Sequence, residues 1–417
     1  AFLSAIAARN LDAPQLRLPT NPNIIPKIWE RFLDTMCTEG ARDKLIAYQS
    51  DGVALNAEHL VEWASKVPPE RIVRIREALK SSGESLRDMP VEEYLAMIKA
   101  DIKPALDTKP ILEVSQPQVI VYHKPELTMF FSSMFRVMSN RFMSLLKPTV
   151  KVVLRKDMAE VERMVQNVHP FGTELKYLEN DFSKYDKSQS DFAFELEEYV
   201  FRQLGMNEEW LQKWVDGHER CYIRSIALNM SLQVHFQRKS GDATTSFGNV
   251  VQNILSVSYA YYGTDMVWAV FMGDDSLAAA KQVAGDVDAP RIMAEIFNFG
   301  AKCYVTQAPY FASNFVVIDD ANERVKFVPD PVKRAARWSM AVAAKDCDWD
   351  DKYQSVKDAC RVYLDKMNTM ALARLVSQRY TVSYEDARAV ASAIATVVGN
   401  PDKFRALWEE RPEMVTY

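Results

Sequence analysis

The chain has 417 residues, with 51 Lys and Arg against 56 Asp and Glu, a formal charge of −5. That length exceeds one ordinary domain, and 48% hydrophobic with 26% charged residues is a globular balance that excludes a disordered chain. Only 13 Gly exclude collagen-like and loop-dominated architectures. Five scattered Cys without a C-x-x-C pair fit a reducing compartment better than a disulfide frame or a zinc site. The mildly acidic total argues weakly against a nucleic-acid partner, whose footprint is usually basic.

The chain opens at Ala1 without Met or a charged-then-apolar leader, which reads as a processed product or an excised piece of a longer polyprotein. Pro26 leads into a helix over Ile28–Met36, and Pro68–Pro69 cap another over Glu70–Lys80. Pro90 is expected to open a short helix, Val91–Lys99, and the β-branched run Val119–Tyr122 a strand. Leu127–Leu146 reads as a helix with Phe130, Phe131, Met134 and Phe135 on one face and Arg136, Arg141 and Lys147 toward the polar side and end. Residues 94–156 carry ten basic against four acidic side chains, a net of +6 that leaves −11 for the rest. Such a block is either a solvated face or a phosphate-facing surface, and its size within an acidic chain favours the second.

A strand is expected from Leu175 into Asp181, a helix over about Phe192–Leu204, and a strand over residues 232–236. Ser240-Gly241 breaks the last, and Phe247, Val250, Val251, Ile254 and Leu255 then repeat at helical spacing. Two apolar runs, Met266–Met272 and Leu277–Ala280, flank Gly273-Asp274-Asp275-Ser276, a hairpin with both acids at its tip. Beyond Pro331 the pattern is helical to Pro412. No stretch could cross a bilayer: Val250–Met272 is broken by Gln252, Asn253 and Asp265, and Ala389–Val398 is too short.

Chemistry concentrates in three places. Adjacent carboxylates at Asp274 and Asp275 repel unless a cation compensates them, although Gly-Asp-Asp is also an ordinary turn. Asp181 ends a strand, with Asp186 five residues on: either Asp181 is a metal ligand supplied by a second strand, or the group is a cluster in which Asp186 or Ser188 caps the helix from Phe192. Ser240-Gly241 enters a helix whose free N–H groups suit phosphate or a ribose edge, and Thr245 and Asn249 share one of its faces. None of the five His (His59, His123, His169, His218, His235) has metal-ligand spacing, and core or surface positions are expected for all.

Taken together, Asp-x4-Asp after a strand, Ser-Gly-x3-Thr-x3-Asn opening a helix and Gly-Asp-Asp on a hairpin resemble the palm motifs of viral RNA-dependent RNA polymerases. The strings Asp181–Gln189 (DFSKYDKSQ), Gln237–Asn249 (QRKSGDATTSFGN) and Gly273–Ser276 (GDDS) are similar to the alphavirus-like superfamily, and most to tobamovirus-type replicases of plant viruses and their relatives. The likeness extends through Met97–Asp107, Gln118–His123 and Leu145–Pro148, and to Ala8–Leu11.

The resemblance implies an α+β right-hand fold. Its fingers would come from 91–175 and 191–235, an antiparallel-sheet palm from 176–190 and 236–330, and a helical thumb from 331–417, with 1–90 a helical N-terminal extension. It implies RNA-templated RNA synthesis from ribonucleoside triphosphates with two Mg²⁺ (or Mn²⁺) ions held by Asp181, Asp274 and Asp275. It assigns Asp186 and Asn249 to the ribose hydroxyls with Ser240, Gly241 and Thr245 in support. Lys99, Lys103 and Lys109 fall over the triphosphate channel, and Lys302 beside the leaving pyrophosphate. Arg238 and Lys239 are expected on phosphate. Implied partners are RNA template and nascent strand, helicase and capping domains and host factors, in membrane-bound replication complexes of the host cytoplasm. The competing readings are a reverse transcriptase, which predicts a bulky aromatic where Asp186 stands and usually another at Met272, and an inactive palm kept as an RNA-binding scaffold.

Overall fold

Ile28, Trp29, Phe32, Leu33 and Met36 recur at helical spacing and are buried together along one face of α1 (Ile25–Met36). Phe32 stacks on Phe142 with ring centroids 5.1 Å apart, which ties this N-terminal helix into the main core. The computed structural model describes residues 21–82, 88–98, 119–154, 158–226, 229–285, 288–340 and 348–409. After α1 come α2 (Ala41–Ser50), α3 (Ala57–Ala64) and α4 (Pro69–Ser82). There follow β1 (Glu93–Ile98), β2 (Val119–Tyr122), α5 (Pro125–Leu145), β3 (Val150–Val152), α6 (Met158–Val168) and β4 (Lys176–Ser183). The single turn α7 (Tyr185–Ser188) precedes α8 (Asp191–Gln203), α9 (Glu208–Glu219), β5 (Cys221–Ser225), β6 (Met230–Val234) and α10 (Thr245–Ala260). The chain continues through β7 (Asp265–Met272), β8 (Asp275–Gln282), α11 (Ala289–Phe297), β9 (Gly300–Thr306), β10 (Tyr310–Phe311), β11 (Asn314–Asp319) and β12 (Arg324–Pro329).

The described residues are mixed helix and sheet, an α+β arrangement. Their first sheet has the order β2-β1-β5-β6, with β1 antiparallel to β2 and parallel to β5. The helix expected over Val91–Lys99 is therefore strand β1 as far as Ile98. Tyr94 is fully buried in this sheet, and pairing with partners far along the chain overrides the local helical pattern. The second sheet, β3-β7-β8-β4-β9, sets β4 between the second strand of a hairpin and β9. Its edge strand β3 runs parallel to β7, so residues 150–152, from the stretch expected with the fingers, join the sheet of the acidic motifs.

α12 (Pro331–Met340), α13 (Trp349–Cys360), α14 (Lys366–Tyr380), α15 (Tyr384–Gly399) and α16 (Pro401–Glu409) follow, and the expected helical end at Pro412 lies outside the described residues. Leu372, Val376, Ala391 and Ile394 share a core with Tyr310, Phe315, Val317 and Val328 of the small sheet β10-β11-β12. Asp330 joins the two layers. It accepts from the hydroxyls of Tyr310 at 2.8 Å and Tyr380 at 2.5 Å and caps α12 through the amides of Val332 and Lys333. Among the described residues no helix is long and apolar enough to cross a membrane.

Candidate active site

β7 and β8 pair Met272 with Asp275, leaving Gly273 and Asp274 as a two-residue turn. Gly273 takes φ +61°, the conformation such a turn needs at its first position and one that Gly adopts without strain. Asn253, buried in the apolar stretch of α10, donates its Nδ2 to the carbonyls of Gly273 at 3.1 Å and Asp275 at 3.2 Å. It thus clamps both sides of the turn. Sequence reading missed Asn253, although it lies four residues after Asn249 and is, with Gln252, one of the polar side chains that interrupt an apolar run.

On the neighbouring strand the register pairs Asn180 with Ser276, so Asp181 lies one step further, beside Asp275. Asn180 also donates to Ser276 Oγ at 3.1 Å and accepts from the Tyr261 hydroxyl at 2.9 Å, which fixes that register. Burial, and then the negative field of Asp274, raise the Asp275 carboxyl to about 7; Asp181 and Glu179 add to this and Lys333 opposes it. A carboxyl so crowded by others fits a divalent cation, which hard oxygen donors suit. Among the described residues no three such side chains close into a cage around an ion. That is compatible with Mg²⁺, which keeps several waters and relies on one or two carboxylates plus substrate phosphates.

Glu179 is itself buried and receives both guanidinium nitrogens of Arg379 from α14, at 2.8 and 2.9 Å. This fork ties the acidic strand to the C-terminal helices. Lys302 on β9 is exposed and is the direct cross-strand partner of Asp181.

Asp186 and Asn249 come from different elements, α7 and α10, and meet: Asn249 Nδ2 donates to Asp186 Oδ1 at 2.9 Å. Both are half-buried, and the Tyr185 hydroxyl holds the backbone of Asn249 at 3.0 Å. Ser240 and Gly241 serve to dock their loop on β2. The Ser240 hydroxyl lies 3.3 Å from Val119 O, and Gly241 N donates to Val121 O at 2.8 Å. A Cβ on Gly241 would stand 2.8 Å from the Tyr122 Cβ, so this close approach requires glycine. The Thr245 hydroxyl donates to Lys239 O at 2.5 Å, which fastens the loop to the start of α10.

Arg238 and Lys239 depart from expectation. Arg238 is 3% and Lys239 2% exposed, so neither side chain reaches a surface where phosphate could arrive. Arg238 instead pairs with Glu197 and lies 5.0 Å over the Phe194 ring, and Lys239 donates to Phe236 O and sits 5.2 Å over the Tyr94 ring. Their basic character beside a glycine loop mimicked a phosphate site, whereas Glu197, 41 residues from Arg238, was invisible to local pattern. The basic block behaves similarly where it is described. Arg136 meets Glu62, Arg141 meets Asp51, Lys151 meets Glu160, and Lys147 donates to Thr35 O. Lys99, Lys103 and Lys109 lie outside the described residues.

Two histidines carry more structure than their spacing suggested. Asp242, buried at the same loop, faces His123 Nδ1 at 3.2 Å and His218 Nε2 at 3.3 Å and accepts from the Thr244 hydroxyl at 2.5 Å. Burial raises the Asp242 carboxyl, but the two imidazoles outweigh it and hold the group well below the usual carboxylate range. The cluster fixes the loop against β1, β2 and α9.

With this geometry in place, similarity to known proteins is informative. The family model described as RNA dependent RNA polymerase matches residues 1–407. RNA-directed RNA polymerase 2a of Cucumber mosaic virus (strain As) is 28% identical over 425 residues, covering 97% of this chain and 46% of the relative. The same protein of strain Ixora is 29% identical over 427 residues, covering 99% of this chain and 46% of the relative. This chain thus spans about half the length of the relatives it matches. Extending over nearly all of the described sheets and helices, the match establishes that the chain belongs to the family of RNA-dependent RNA polymerases.

Proposed function

We propose that this chain catalyses template-directed RNA synthesis: a nascent-strand 3′-hydroxyl attacks the α-phosphate of a bound ribonucleoside triphosphate and pyrophosphate leaves. The observation that carries the reading is the meeting of Asp181, the Asp274–Asp275 turn and the Asp186–Asn249 pair at one end of the β3-β7-β8-β4-β9 sheet. Asp181, Asp274 and Asp275 would hold two Mg²⁺ or Mn²⁺ ions, which when bound hold the attacking and leaving oxygens in line and neutralise phosphate charge. Asp186 accepts from and Asn249 donates to the ribose hydroxyls through the carboxylate oxygen and amide N–H that their mutual hydrogen bond leaves over, and a sugar lacking the 2′-hydroxyl leaves those two positions unfilled. Lys302, the cross-strand partner of Asp181, would give a proton to the leaving pyrophosphate oxygen, and its pairing with that strand supports the reading.

A right-hand arrangement accommodates these elements. The β2-β1-β5-β6 sheet lies in the fingers, the five-stranded sheet in the palm and the helices after Pro331 in the thumb, with residues 1–90 as an extension. Lys99, Lys103 and Lys109 belong to the triphosphate channel in this reading. RNA template and nascent strand are its partners in host cytoplasm, with helicase, capping and host proteins supplying membrane recruitment. The Asp186–Asn249 pair favours RNA synthesis over reverse transcription, which would require a bulky side chain against the sugar. Primer extension with ribo- and deoxyribonucleotides tests the proposal. Ribonucleotide-specific extension that Asp274→Ala abolishes is expected, whereas equal use of both sugars, or activity unaffected by that substitution, refutes it.

A further inference from the structure

The Asp186–Asn249 pair is the half-buried end of a longer chain of hydrogen bonds whose interior end is closed to solvent. Arg238 Nε donates to Gln189 Oε1 at 2.8 Å, Gln189 Nε2 donates to Asn249 Oδ1 at 2.9 Å, and Asn249 Nδ2 donates to Asp186 Oδ1 at 2.9 Å. Gln189 is 0% exposed and Arg238 is held on its other nitrogens by Glu197 and by Thr244 Oγ1 at 3.1 Å. Glu197 is 0% exposed and is held in turn by Gln252 at 3.1 Å.

The direction of this chain matters more than its length. An amide side chain has one accepting and one donating end, whereas a guanidinium can only donate. Arg238 therefore forces the oxygen of Gln189 toward itself and the Gln189 NH₂ toward Asn249. That NH₂ in turn requires the Asn249 oxygen, and so turns the Asn249 NH₂ to Asp186. The site is left presenting one Asn249 N–H as donor and the remaining Asp186 carboxylate oxygen as acceptor, the complement of a hydroxyl that both accepts and donates. Were the Asn249 amide reversed, its oxygen would face the Asp186 carboxylate and no donor would be offered.

We infer that Gln189 and Arg238 are positioning residues for sugar selection, fixing the orientation of the Asn249 amide through a one-way relay from a buried cation. The inference rests on the proposed ribose-reading role of Asp186 and Asn249. Neither Gln189 nor Arg238 touches the nucleotide, so their effect should appear in the ratio of ribo- to deoxyribonucleotide use and should pass through Asn249.

The test is single-nucleotide incorporation by the 417-residue chain with ATP and dATP, comparing kcat/KM ratios. The variants are Gln189→Glu, Gln189→Leu, Asn249→Ala and the double variants of each Gln189 change with Asn249→Ala. In Gln189→Glu the new carboxylate still accepts from Arg238 but cannot donate, so it draws the Asn249 NH₂ away from Asp186. A fall of about 10- to 100-fold in the ratio is expected, the size of one hydrogen bond to a charged group. Each double variant should match Asn249→Ala alone. Gln189→Leu, which introduces no charge, runs the same cycle if thermal melts show that the Glu variant does not fold. A ratio unchanged by the folded Gln189 variants while Asn249→Ala lowers it overturns the relay and leaves the ribose reading intact. Effects that multiply in the double variants overturn it too. A ratio unmoved by Asn249→Ala removes the ribose reading and the relay together.

Discussion

Replacing Glu197 by Leu should strip the charge partner from a guanidinium that has no route to water. Both side chains of the Arg238–Glu197 pair are 0% exposed, and the carboxylate also accepts from Gln252 at 3.1 Å. Removing one member of such a pair leaves a buried uncompensated charge and costs about 3–5 kcal/mol. In a chain of this size that corresponds to a fall in Tm of about 3–6 °C, read by circular dichroism melts and checked by urea titration. Exchanging both partners, Glu197→Leu with Arg238→Met, removes the charges together and should restore most of the stability. It should not restore sugar selectivity, because a Met offers Gln189 no donor to set its direction. A single-variant loss below about 1 kcal/mol would show that the pair is not desolvated as described. A double variant recovering both stability and selectivity would refute the separation of anchoring from orientation.

Other expectations follow from neighbouring contacts. Gly248→Ala would place a Cβ 2.7 Å from the Arg238 guanidinium, whose position is pinned by Glu197, Gln189 and Thr244. The variant should lose about 1–3 kcal/mol in denaturant titration and reduce sugar selectivity together. Arg379→Ala leaves Glu179 buried without its fork and should cost about 3 kcal/mol, with unfolding of the C-terminal helices monitored by hydrogen exchange. With chelator present, the Asp275 carboxyl, raised to about 7 from an ordinary 3.8, binds a proton more tightly folded than unfolded. Its stabilising contribution is thus present below about pH 4 and lost as pH rises toward 7; Mg²⁺ should flatten this slope, and melts from pH 4 to 8 without any such difference would contradict the crowding of carboxylates.

The elements that position the chemistry were legible because their signals are local. The strand running from Leu175 into Asp181, the glycine turn between β7 and β8 and the periodic apolar face of α10 each occupy a short window. Asp186 and Asn249, 63 residues apart, were linked only by the resemblance to polymerase palm motifs, and the structure brings them into contact. What remained hidden was set by distant pairing. β1 is a strand because β2 and β5 flank it, Arg238 is internal because Glu197 waits on another helix, and His123 and His218 converge on Asp242 from segments without shared periodicity. Net charge misled for the same reason. Among the described members of the basic block, Arg136, Arg141 and Lys151 meet Glu62, Asp51 and Glu160, so the formal sum of the segment overstates its free charge.

The central placement of β4 constrains how the protein can be made. Asn180 lies beside Ser276, 96 residues later, and Asp181 beside Lys302, later still. While the chain emerges from a ribosome, β4 has both edges open and neither neighbour yet exists, a state prone to mispairing. Closure of the sheet is thus a late, long-range event, and the acidic cluster should come into being only once the β7–β8 hairpin docks. A nascent chain stalled before residue 275 would carry Asp181, Asp186 and Asn249 yet have no means of gathering the carboxylates, so the site cannot assemble before the β7–β8 hairpin has been made.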